Sequence, residues 1–142
     1  DALRQIKDSI KIPVCSCENL YGTRQYRPYF EKHAMHIASI DIIWNGFMGS
    51  RKISDLAELY EMNVTPHNYN GHLSTFISAQ FCASIPNLRI MEVDHDDVPW
   101  REELFTNAPE IKDGFLSVSK GPGWGTEVRE EVLKKHPWPK GN

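Results

Sequence analysis

Apolar and polar positions along this chain follow two alternating rhythms. Four short β-prone runs stand out: "KIPVCSCE" (11–18), "IASID" (37–41), "NVTPH" (63–67) and "NLRIME" (87–92). Between them the period lengthens. In "SRKISDLAELYEM" (50–62), Ile53, Leu56, Ala57 and Tyr60 recur at i, i+3, i+4 and i+7, the stripe of a half-buried helix. "GHLSTFISAQFCASI" (71–85) is apolar enough for a packed helix, and "RQYRPYFEKHAM" (24–35), which contains Pro28, is a weaker one. Strands alternating with helices of this length predict βα units and a parallel sheet.

The four runs end in Glu18, Asp41, His67 and Glu92, separated by 23, 26 and 25 residues. In a (β/α)8 barrel, successive strands deliver active-site groups at their C-terminal ends. The spacing therefore predicts about four βα units of a TIM-type α/β barrel, with the four polar tips at one mouth. Four units are half of a fold that takes about 250 residues. Half a barrel leaves two strand edges and an apolar interior uncovered, so a fragment or an assembly of halves is expected. The opening "DALRQIKDSI", with no initiator methionine, also reads as part of a longer protein. If Glu18 points into the barrel, alternation puts Val14 and Ser16 on its side and turns Cys15 and Cys17 toward the helices. The "CSC" pair then reads as packing, because no second thiol pair or well-spaced histidine accompanies it as a metal site would require.

Composition narrows the classes. A hydrophobic content of 40%, a charged content of 25% and a net charge of −3 describe a soluble globular domain without the basic stripe of a nucleic-acid binder. No apolar run approaches the roughly 18 residues of a membrane span, and no signal-peptide pattern opens the chain. Three cysteines make a disulfide framework unexpected, which favours the cytoplasm.

The segments "CENLYG" (17–22), "SIDIIWNG" (39–46), "TPHN" (65–68), "IPNLRIME" (85–92) and "IKDGFLSVSKGPGWG" (111–125) together resemble the C-terminal half of an enolase-superfamily enzyme. The likeness is to the mandelate racemase and muconate-lactonizing branch, and it runs along nearly the whole chain in order. It implies that residues 1–100 correspond to barrel strands 5–8 and 101–142 to an extension packing toward the barrel and capping domain, both the capping domain and the first half barrel lying outside this chain. It further implies that Glu18 is one ligand of a Mg2+ ion, that Asp41 and His67 form a hydrogen-bonded dyad, and that Glu92 hydrogen-bonds a developing enolate. Asn45-Gly46 stands slightly closer to Asp41 than the family's usual Gly-Gly pair.

Under this resemblance His67 is the general base that takes the proton α to a substrate carboxylate, a role suited to a side chain with an ordinary pKa of about 6.5. Asp41 orients the ring, and Tyr21, Trp44, Asn45 and Asn68 are placed to touch substrate. The expected activity is that of an acid-sugar dehydratase, with racemisation or cycloisomerisation as the alternative outcome of the same first step. A reading of another class is a catalytically incomplete half barrel that acts by association. The expected partners are a small carboxylate substrate and either a second copy or the missing half, with the parent a homo-oligomer. One glutamate cannot hold magnesium alone, so the remaining ligands are expected upstream.

Other features read as structural. The cluster Asp94, His95, Asp96 and Asp97 suggests a solvated loop more than a metal site. "GPGWG" (121–125) lacks the Gly-Lys-Ser/Thr ending of a phosphate loop. His72, with Asn70 as the expected helix cap, reads as a packed residue.

Overall fold

The computed structural model describes residues 1–95 and 98–137. Asp96 and Asp97, half of the acidic cluster, lie outside the described residues.

The chain runs α1 (Ala2–Ser9), β1 (Cys15–Ser16), α2 (Gly22–Glu31), β2 (Ile37–Asp41), α3 (Ile42–Asn45), α4 (Phe47–Leu59), β3 (Asn63–His67) and α5 (His72–Ser84). A hairpin of β4 (Ile111–Lys112) and β5 (Phe115–Leu116) and a short helix α6 (Glu130–Lys135) follow. β1, β2 and β3 form one parallel sheet in chain order, with Ile37 opposite both Cys15 and Asn63, and Asp41 opposite His67. This is the predicted βα alternation.

One face of the sheet makes the core. Ala38, Ile40 and Val64 are fully buried with Tyr26 and Phe30 of α2, Ile53 and Ala57 of α4, and Phe81 of α5. α2 and α4 end alike. His33 and Glu61 take positive φ, and the backbone N–H groups of Ala34 and Met62 donate to the carbonyls of Tyr29 and Ala57. These Schellman closures aim the chain back into β2 and β3 with Met35 and Met62 buried.

Two of the predicted strands are shorter than expected. β1 is confined to Cys15–Ser16. The run 87–92 is not a strand but a single parallel bridge between Leu88 and Val64. The cause lies in β3. Val64 N–H donates to the Asn87 carbonyl, and Arg89 N–H donates to the Val64 carbonyl. The next donor of that parallel ladder would be residue 66, which is proline and has no N–H. The ladder stops, and the Thr65 hydroxyl bonds the Ile90 carbonyl instead.

The alternation expected for β1 is inverted. Cys15 shares the face of Ser39 and Thr65, whereas Val14 packs against the core. Cys17 adopts φ 89°, unusual for a residue with a Cβ. That residue breaks the period of two, turning its own side chain into the core beside Met35 while Glu18 returns to the open face.

The C-terminal segment folds back onto the helices. Asp113 and Gly114, both at positive φ, form the two-residue turn of the β4–β5 hairpin. Trp124 of "GPGWG" packs on Phe47 of α4, and the Ser119 carbonyl accepts from Gln80 of α5. Helix α5 is capped by Gly71 rather than Asn70, and His72 is buried, bonding Glu102 at 3.0 Å and packing against Phe105. Among the described residues no helix is long and apolar enough to cross a membrane.

Candidate active site

The last register pair of the β2–β3 ladder is Asp41 opposite His67. Adjacent parallel strands hold paired residues on the same face, so the two side chains must meet. His67 Nδ1 lies 3.0 Å from Asp41 Oδ2. Asp41 is also the N-cap of α3, its Oδ1 accepting from the Trp44 N–H at 2.8 Å. A carboxylate that already accepts one N–H and is 1% exposed has little freedom to move. A carboxylate that only accepts favours the tautomer with the proton on Nδ1, which would leave Nε2 as the nitrogen able to take a proton.

His67 lines a cavity of about 410 Å³ together with Cys15, Glu18, Ser39, Thr65, Pro66 and Glu92. Three of the four predicted tips, Glu18, His67 and Glu92, open into this one space, and the fourth, Asp41, lies behind the histidine. Ser39 and Thr65, a register pair one layer below Asp41 and His67, are almost wholly buried in its floor. The wall is anionic. The Cys15 thiol is pushed above its ordinary range by its recessed position and by the charges of Glu18 and Glu92.

Glu92 is held without a strand. The Asn68 N–H donates to Glu92 Oε2 at 2.7 Å, and Asn68 Nδ2 donates to the Glu92 carbonyl at 3.1 Å. The Asn68 amide also donates to Thr75 Oγ1 at 3.0 Å and accepts from Ser74 Oγ at 2.7 Å. Its side chain is fully buried, so it does not face the cavity as expected of a substrate contact. Asn45 likewise turns inward. Its Oδ1 accepts from the Gly22 N–H, and its Nδ2 donates to the carbonyls of Leu20 and Asp41, tying the loops after β1 and β2 together. Tyr21 stays half exposed and stacks on Trp44, with ring centroids 5.3 Å apart and planes within 4°. Neither ring lines the cavity.

Sequence reasoning missed Cys15, Ser39 and Thr65 as cavity residues. For Ser39 and Thr65 the signal was there, since each stands two positions before a tip and shares its face. For Cys15 the positive φ of Cys17 concealed it.

Among the described residues no group of three or more His, Cys, Asp or Glu side chains could hold a metal ion. Glu18 has no hydrogen-bond or ion-pair partner among the described residues and opens into the cavity. As a lone oxygen donor it fits the chemistry of a magnesium ligand but not the number such an ion requires.

A family model described as "Enolase C-terminal domain-like" matches residues 1–132. A D-xylonate dehydratase from Haloferax volcanii is 30% identical over 96% of this chain, and the match spans 33% of its own length. A crystal structure of a proposed L-alanine-DL-glutamate epimerase from Burkholderia xenovorans strain LB400, bound to magnesium and fumarate, is 46% identical with a TM-score of 0.92. That match covers 95% of this chain and 34% of the other. A structure assigned to a mandelate racemase/muconate lactonizing enzyme from Burkholderia SAR-1 is 26% identical with a TM-score of 0.91, covering 99% of this chain and 35% of that one. The chain spans about a third of the length of these proteins.

Proposed function

The chain belongs to the enolase superfamily, in its C-terminal domain-like family with mandelate racemase and muconate-lactonizing neighbours, and from that membership we propose that it is part of a magnesium-dependent enzyme that removes the proton α to a substrate carboxylate. The observation that carries the reading is the Asp41–His67 pair, its ring lining a cavity shared with Glu18 and Glu92. Residues 1–100 would correspond to four βα units of a barrel and residues 101–142, of which 138–142 lie outside the described residues, to an extension packing toward the barrel and capping domain.

His67 Nε2 takes the proton while Asp41, fixed by its own cap hydrogen bond, stabilises the imidazolium that results. Glu92 presents its carboxyl to the developing enediolate oxygen. Glu18 would supply one ligand to Mg2+, the other donors being expected upstream. When bound, that ion supplies positive charge against the carboxylate oxygens. The Ser39 and Thr65 floor gives a hydroxylated substrate polar groups to bond.

Dehydration of an acid sugar is the preferred outcome, supported by the D-xylonate dehydratase relative. In that reaction the His67 imidazolium protonates a leaving β-hydroxyl. A second reading, epimerisation, is favoured by the 46% identical structure described as an epimerase with magnesium and fumarate. Incubating the intact protein with Mg2+ and a panel of acid sugars and dipeptides separates the two. Release of a 2-keto-3-deoxy acid supports dehydration. Inverted configuration without loss of water supports epimerisation, and neither product from either panel contradicts the proposal.

A further inference from the structure

We propose that Asn68 is a positioning residue that fixes which oxygen of Glu92 can carry a proton, an inference that rests on the functional reading above. The ladder that should hold residues 87–92 ends at Arg89, because Pro66 offers no N–H. Glu92 therefore depends on side-chain links from β3 and the turn after it. The Asn68 N–H occupies Oε2 at 2.7 Å. An oxygen that accepts a short N–H bond is the poorer site for a proton, so a proton on this carboxyl resides on Oε1. Oε1 is then the atom that donates to an enediolate oxygen in the cavity.

The side chain of Asn68 makes the arrangement rigid. Its Nδ2 bridges the Glu92 carbonyl and Thr75 Oγ1, and its Oδ1 accepts from Ser74 Oγ, so all of its polar atoms are engaged with zero exposure. Thr75 and Ser74 belong to α5, which packs in the core through Phe81. Glu92 is thereby referenced to the core through Asn68, which directly follows the base His67. A single backbone segment sets the position of both groups.

The test is a double-mutant cycle on the intact enzyme, reading kcat and KM per folded molecule with whichever acid substrate it turns over. Asn68→Ala keeps the backbone N–H on Oε2 but deletes the amide bonds to the Glu92 carbonyl, Thr75 and Ser74 that hold that N–H and Glu92 in register. It is therefore expected to lower kcat by about tenfold while KM changes by less than about twofold, because an interaction used only in the transition state is weakened. In a Glu92→Gln background the same substitution is expected to cause no further loss, the signature of two residues acting as one unit. Ser74→Ala, which cuts only the far end of the network, repeats the cycle should Asn68→Ala fail to fold. Equal losses in both backgrounds overturn the proposal, as does a change confined to KM. Full activity in Glu92→Gln, or in His67→Asn, removes the functional reading and the proposal with it. Additive losses alongside an inactive His67→Asn remove this proposal alone.

Discussion

Asp41 Oδ2 stands 3.0 Å from His67 Nδ1 because the two residues are register partners at the ends of neighbouring parallel strands. Asp41 is simultaneously the cap of α3, so the same carboxylate that orients the ring also starts a helix. Structure and proposed chemistry share one side chain.

Asp41→Asn is therefore expected to abolish most activity without unfolding the protein. An asparagine amide turned toward His67 can donate to Nδ1, which moves the ring proton to Nε2 and removes the base. Its oxygen can still cap Trp44 N–H. A loss of roughly 10³–10⁴ in kcat, with the circular dichroism spectrum preserved, is the expected result.

Asn45→Ala tests the staple between the first two loops. It deletes bonds to the Gly22 N–H and to the Leu20 and Asp41 carbonyls. Urea unfolding of the intact protein should show a loss of about 1–3 kcal/mol, as expected when partly buried groups lose their partners.

Phe30 is fully buried between Tyr26 and Tyr60, with ring centroids 5.8 Å and 6.2 Å away. Phe30→Ala leaves a cavity under the sheet. The expected cost is about 3–5 kcal/mol in the same unfolding assay.

Much of this arrangement was legible in the residues. The period of 3.6 located α4, apolar content located α5, and the β-prone runs gave β2 and β3 at their observed bounds. Asp41 and His67 were expected as a pair, and they are one. Three things were hidden. Pro66 was visible, but its effect on the 87–92 ladder depends on which neighbour residue 66 faces, a matter of register. The φ of 89° at Cys17 has no glycine to announce it, so the faces of Val14 and Cys15 were exchanged. Asn45 and Asn68 have the composition of ligand contacts at strand tips, and only their hydrogen bonds, with full burial for Asn68, reveal them as scaffold.

Cys15 offers a chemical probe of the cavity. Burial holds the Cys17 thiol up at about 11 and the Cys82 thiol at about 12, so neither supplies thiolate near neutrality. Cys15 is the exposed cysteine, with its pKa raised by partial burial and then by Glu18 and Glu92. A raised pKa means less thiolate at neutral pH, so alkylation by iodoacetamide should be slow at pH 7 and rise steadily as the pH moves above the ordinary thiol range. Glu18→Gln removes one of the raising charges and should speed the reaction at a given pH. Mass spectrometry of the modified peptides should find the label on Cys15, and Mg2+ with a substrate carboxylate should protect it.

The proposed chemistry depends on His67 as the base. Its most direct measurement is the exchange of the substrate α-proton with solvent deuterium, followed by NMR in the intact protein with Mg2+. Wild type should wash deuterium into the α-position of an acid it binds, and His67→Asn should reduce that exchange by at least about a hundredfold while still binding the acid. Undiminished exchange in His67→Asn would rule His67 out as the base.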